Sequence, residues 1–209
     1  YRKSGQRIFS FSNVDLGAIT TVDVGNPFKI LLLYRDFNSV IILDNNLNEL
    51  SQRLDFTVET QFNNVLFACN SSQNNIWLYA DDKKLHLYNY ETMSEELQTQ
   101  AMTFYEDDFI AQSIVSTFKR VWIQSDSEAL EFNEYGNYVR TYLINGAERI
   151  FPFQKGILVL KEGTFEYLFE EERRRVELNF KETMKNVSVS GSSLFIYDGH
   201  KVSQFQLQL

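Results

Sequence analysis

The chain has 209 residues, 44% of them hydrophobic and 15% aromatic, which is enough for one sizeable packed core and too apolar for a disordered segment. Its net charge of −8 and pI near 4.9 supply no basic footprint for nucleic acid, and they disfavour an anionic membrane surface. Two Pro and 9 Gly exclude collagen-like and linker-like classes, and the single Cys69 cannot close an internal disulfide.

Couplets of apolar runs recur along the chain. The central runs begin at Ile30, Ile76, Val121, Ile157 and Leu194, spaced by 46, 45, 36 and 37 residues. A period of that size marks a radial β array, in which each repeat is a small sheet that cannot bury its faces alone. In chain order, the first repeat predicts strands at 20–24, 28–34, 39–43 and 47–54. The second predicts 65–69, 76–80, 85–89 and 95–99. The third predicts 109–115, 119–124, 129–132 and 138–144, and the fourth 149–153, 156–160, 164–169 and 174–178. The fifth supplies 186–189, 194–197 and 202–206 before the chain ends. Aromatic and β-branched residues fill these runs, and turn residues such as Asn45-Asn46, Asn74-Asn75 and Asp198-Gly199 separate them. The central runs are apolar at consecutive positions, so both of their faces are covered. Segments 92–102 and 169–178 also admit short helices, but the repeat frame makes them outer strands or turns.

The expected fold is therefore an all-β propeller of five four-stranded blades, at about 20–56, 58–100, 109–144, 148–180 and 184–209. The fifth repeat lacks a fourth strand. Residues 7–12 (RIFSFS) belong to no repeat and are expected to complete it, which would leave no open edge. A ring of six blades is the alternative.

Little of the sequence argues for catalysis. Glycines never cluster as a phosphate loop requires, and no Ser sits in a nucleophile elbow. Cys69, His86 and His200 are too scattered for a zinc site. Neither a metal nor a cofactor is expected. Carboxylates are the one chemical resource, and a propeller glycosidase would draw on Asp23, Glu59, Asp107, Asp108 and Glu148. The length spent on blades leaves few substrate loops, so no enzymatic activity is expected. The loop Phe104, Tyr105, Glu106, Asp107 and Asp108 reads as a solvated charged loop, with protein contact as an alternative because two aromatics flank the acids. No apolar run approaches the ~20 residues of a membrane span, so direct membrane insertion is not expected. A removed signal peptide is one reading of a chain that opens on Tyr1.

The stretch 21–50, with the turn Asn26-Pro27-Phe28-Lys29, the segment Leu32-Leu33-Tyr34-Arg35-Asp36-Phe37 and Asp44-Asn45, resembles small exported β-propeller-like proteins of Gram-negative bacteria that use type IX secretion. Asn74-Asn75-Ile76-Trp77 fits the same pattern. The resemblance implies a non-enzymatic periplasmic interaction protein that plugs or gates the periplasmic mouth of the type IX translocon. Its implied partner is a large outer-membrane β-barrel, and no nucleic acid is involved. The alternative is a ligand- or carbohydrate-binding propeller. On this reading the partner contacts fall at Asn26, Pro27, Phe28 and Lys29, and at Phe104, Tyr105, Glu106, Asp107 and Asp108.

Overall fold

A computed structural model describes residues 8–57 and 64–208. Five successive antiparallel meanders follow one another along the chain. The first is β1 (Thr21–Asn26), β2 (Lys29–Tyr34), β3 (Ser39–Leu43) and β4 (Leu54–Asp55). The second is β5 (Val65–Asn70), β6 (Asn75–Ala80), β7 (Leu85–Asn89) and β8 (Ser94–Gln98). The third is β9 (Ser113–Ser116), β10 (Arg120–Gln124), β11 (Glu128–Asn133) and β12 (Tyr138–Leu143). The fourth is β13 (Arg149–Phe153), β14 (Gly156–Lys161), β15 (Thr164–Phe169) and β16 (Glu172–Val176). The fifth is β17 (Asn186–Ser190), β18 (Ser193–Tyr197) and β19 (Val202–Gln206). These are the blades of a β-propeller; the two segments that admitted helices hold β8 and β16 instead, and only Met102, at the end of the first, enters a short 3-10 turn.

The consecutive apolar residues of the central strands divide between two cores. In the first sheet, Leu31 pairs with Ile42 and Leu33 with Val40. These four pack against Val65, Ala68, Ile76 and Leu78 of the second sheet. Their neighbours Leu32, Tyr34, Ile41 and Leu43 face the other way and enclose Leu16. In β14, Ile157 and Val159 join a core with Trp122, Ala129 and Tyr142, whereas Leu158 and Leu160 join one with Val187, Leu194 and Ile196. Period-2 geometry thus turns an unbroken apolar run into two packed faces. Each fully buried side chain contributes about 1.5–3 kcal/mol.

The described residues form two compact units. The first runs to Phe109 and takes in Ser116–Val121 and Phe132–Tyr138; the second comprises Ile110–Val115, Trp122–Glu131 and the chain from Val139 on. No helix among the described residues is long and apolar enough to cross a membrane.

Three expectations need correction. Segment 47–54 is not a strand but a turn with one isolated bridge, and β4 begins only at Leu54. The cause is Asp44, whose Oδ1 accepts the N–H groups of Asn46 and Asn48 at 2.8 Å while Leu47 takes a φ of +64°. In the third repeat the first strand starts at Ser113 rather than at 109. The closing strand at 7–12 is absent where it can be seen: Arg7 lies outside the described residues, and residues 8–12 form no strand. The fifth sheet has three strands among the described residues. Phe11 instead packs on the core of the first sheet, and Asn13 Oδ1 accepts the N–H groups of Asp15 and Leu16, which turns buried Leu16 into that core.

Candidate functional site

The loop after β8 carries the most distinctive surface of the first unit. Ala101 leads into a 3-10 turn at Met102–Phe104. Met102 is fully buried and its N–H donates to the Lys83 carbonyl at 2.7 Å, which fixes the turn to the β6–β7 connection. The Phe104 N–H returns to Ala101, and the Tyr105 and Glu106 N–H groups return to Met102. With its backbone held in this way, Phe104 stands 74% exposed.

Its ring begins a ladder of aromatics that leads inward. Phe104 meets Tyr105 edge-on at 5.3 Å, and Tyr105 meets buried Phe132 edge-on at 5.3 Å. Tyr105 also stacks on Tyr138, with centroids 4.9 Å apart and 18° between the planes, and Tyr138 closes the set against Phe132 at 5.9 Å. Burial pushes the Tyr105 hydroxyl above its ordinary pKa. Asn133 Oδ1 accepts the N–H groups of Tyr135 and Asn137, both at 3.0 Å, and so shapes the turn that delivers Tyr138. Gly136 sits in that turn with a φ of +71°, and a Cβ there would come within 2.8 Å of Leu97 Cδ1. Glu106, Asp107 and Asp108 follow the ladder as exposed residues, and Asp108 takes a φ of +61°. Their side chains enter no ion pair or side-chain hydrogen bond among the described residues. No group of three or more metal-ligating side chains is found among those residues either.

The turn at 26–29 divides differently. Asn26 Oδ1 accepts the Phe28 N–H at 3.0 Å; Pro27 is exposed and Phe28 is 70% exposed. Lys29 points the other way. It is 3% exposed, and its Nζ donates to the carbonyls of Ser71, Gln73 and Asn75, each at 2.9 Å. Tyr90 lies 5.5 Å beneath it. Burial pulls its pKa down to about 8, against the opposing pull of the Asp23 carboxylate. The Lys29 ammonium therefore ties the first sheet to the β5–β6 turn, and it is not available to a partner. Sequence reasoning missed this role because the three carbonyls lie 42, 44 and 46 residues away.

The carboxylates expected of a glycosidase are occupied or dispersed. Asp23 Oδ1 accepts the Gly25 N–H and its Oδ2 the Asn70 N–H, both at 2.7 Å. Glu148 Oε1 accepts the Glu162 N–H at 2.8 Å. Asp107 and Asp108 lie in the exposed loop, and Glu59 lies outside the described residues. Buried Cys69 behaves as a core residue whose thiol burial pushes up. In the second unit an open cleft of about 560 Å³ is rimmed by Glu148, Glu162 and Glu182 beside Arg149 and Lys185, so its charge is mixed. Arg149 there already donates to Asn186 Oδ1 and the Val187 carbonyl.

No family model and no curated protein matches the chain. Solved propellers do match its fold. The WD40 domain of Pan2 from Neurospora crassa is 12% identical over 97% of this chain and 66% of its own, with a TM-score of 0.62. BBS1N, solved in complex with ARL6DN, is 9% identical over 91% of this chain and 64% of its own, with a TM-score of 0.62. PorZ, an essential bacterial surface component of the type-IX secretion system of Porphyromonas gingivalis, is 13% identical over 90% of this chain and 27% of its own, with a TM-score of 0.60. The chain thus spans about two thirds of the first two structures and about a quarter of the third. At these identities the likeness establishes the β-propeller fold, and function has to be argued from the site.

Proposed function

We propose that this chain is a non-enzymatic protein-binding propeller, and that Phe104, Tyr105 and Tyr138 form the centre of its binding face. One observation carries the reading. A rigidly held, largely exposed phenylalanine continues inward through stacked rings to the core. Exposing such a ring brings no folding benefit, whereas a pre-ordered aromatic loses little entropy on binding and anchors interfaces well. The acids beside it give the polar rim of a reversible contact.

On this reading the protein works in the periplasm as a component of type IX secretion, where it plugs or gates the periplasmic mouth of the outer-membrane β-barrel translocon. The resemblance of residues 21–50 supports that assignment, as does the fold shared with a surface component of that system. Affinity purification from a bacterium that uses type IX secretion tests it. The expected result is a stoichiometric outer-membrane barrel protein with the unaltered chain and its loss with Phe104→Ala. A chain that returns alone and binds glycans in calorimetry would replace this reading with that of a carbohydrate-binding propeller.

A further inference from the structure

We infer that the Phe104 face takes a partner segment bearing arginine, an inference that rests on the protein-binding reading above. Charge complementarity at a pre-ordered aromatic surface selects that segment. Glu106, Asp107 and Asp108 begin two residues after Phe104 and are all exposed. The Glu106 N–H is hydrogen-bonded to the Met102 carbonyl at 3.1 Å, so the start of the acidic run is fixed to the same 3-10 turn that presents the ring. Phe104 is 74% exposed at the outer end of the ladder, and Tyr138, stacked on Tyr105, is 41% exposed.

An aromatic face is electron-rich, and a planar guanidinium stacks on it while its edge stays free for carboxylates. Arginine is therefore the side chain that satisfies both parts of the surface at once. An ammonium pairs with a carboxylate as a point charge and lacks the flat face that stacks. An acidic segment would meet three like charges. A wholly apolar one would strip water from carboxylates and leave them unpaired. The chain's net charge of −8 also favours the approach of a cationic segment.

Titration calorimetry with three synthetic decapeptides, alternating Arg-Ser, Lys-Ser and Glu-Ser, tests the inference on the whole chain. The Arg peptide is expected to bind most tightly, and the Glu peptide not at all. Both Phe104→Ala and the combined Glu106→Gln, Asp107→Asn, Asp108→Asn change are expected to weaken the Arg peptide about tenfold, whereas Val202→Ala in the second unit leaves it unchanged. Circular dichroism of each variant confirms that it is folded. Affinity for the Arg peptide no greater than for the Lys or the Glu peptide, or Arg binding that survives both variants, overturns the inference. Affinity purification separates its failure from that of the wider reading. A native partner retained by the charge-neutral variant but lost with Phe104→Ala sinks the arginine requirement alone. A native partner retained by both sinks the binding face itself.

Discussion

Tyr105 lies flat against Tyr138, ring centroids 4.9 Å apart, although 33 residues separate them in the chain. The stack joins the loop after the second sheet to the start of the last strand of the third, and both partners also touch Phe132. A surface turn is thereby backed by the core, and Phe104 inherits its rigidity.

Replacing Tyr138 with Ala removes the stacked partner and leaves the Phe104–Tyr105 pair with Phe132 as its remaining aromatic support. Aromatic pairs of this kind contribute about 0.5–1.5 kcal/mol beyond their burial. The variant should remain folded, with a modest fall in thermal unfolding temperature. Amide hydrogen exchange at residues 102–106 should quicken by more than exchange in the β2 and β3 strands. Equal protection of that turn in the variant and the parent would show that Tyr138 does not hold it.

Lys29→Met should cost about 2 kcal/mol, because three carbonyls, the Ser71 one buried and those of Gln73 and Asn75 partly so, lose their donor together. The pH dependence has a definite sign. The Lys29 pKa is about 8 in the folded chain against an ordinary 10.5, so between those values the unfolded chain holds more protons. Stability therefore rises with pH across that window, as the burden of burying the charged form is relieved. Below pH 8 that burden is fully present. Urea unfolding from pH 7 to 10.5 should show this rise in the parent relative to Lys29→Met; parallel curves would refute the assignment.

Gly156→Ala should be severe. A Cβ at Gly156 would lie 2.0 Å from the Leu168 carbonyl oxygen on the paired strand β15, closer than any real contact. The strand must shift, and a loss of about 3 kcal/mol or more is expected. Chemical denaturation measures it, with Gly163→Ala as a milder comparison because nothing lies within 4 Å of that site and only its φ of +71° is strained.

Tyr142→Phe addresses the buried carboxylate of the second unit. Glu131 has no solvent exposure, and the Tyr142 hydroxyl donates to its Oε2 at 2.9 Å. Arg140 Nε stands 3.7 Å from the same oxygen. Burial, with Glu131 adding to it, pushes the Tyr142 pKa up to about 12. Removing the hydroxyl leaves a buried acceptor short of one donor and should cost about 1–3 kcal/mol. An unchanged midpoint of unfolding would mean that Glu131 draws its stability from other partners.

The repeat was legible because each blade repeats one local grammar. Strands β5 to β8 and β17 to β19 lie within a residue of where the apolar runs place them. Legibility failed where a side chain captures backbone. Asp44 turns residues 44–48 back on themselves, and no count of apolar positions registers that. It failed again at residues 8–12, whose alternating apolar pattern suits a strand, while Phe11 and Leu16 anchor the segment to the first sheet. At the candidate site, Phe104 and Tyr105 were visible as aromatics beside acids. Their supports Phe132 and Tyr138 were not, since ring stacking between distant segments leaves no local trace. Lys29 shows the converse, a residue of surface type in a turn sequence whose ammonium is drawn inward by carbonyls of the next sheet.

The binding face is tested most directly by placing a photo-crosslinking phenylalanine analogue at position 104 and irradiating living cells of a bacterium that uses type IX secretion, with the same analogue at Val202 as control. The account expects one discrete crosslinked product from position 104, containing an outer-membrane barrel protein, and none from position 202. Crosslinks of equal yield and pattern at the two positions, or none at either, would contradict it.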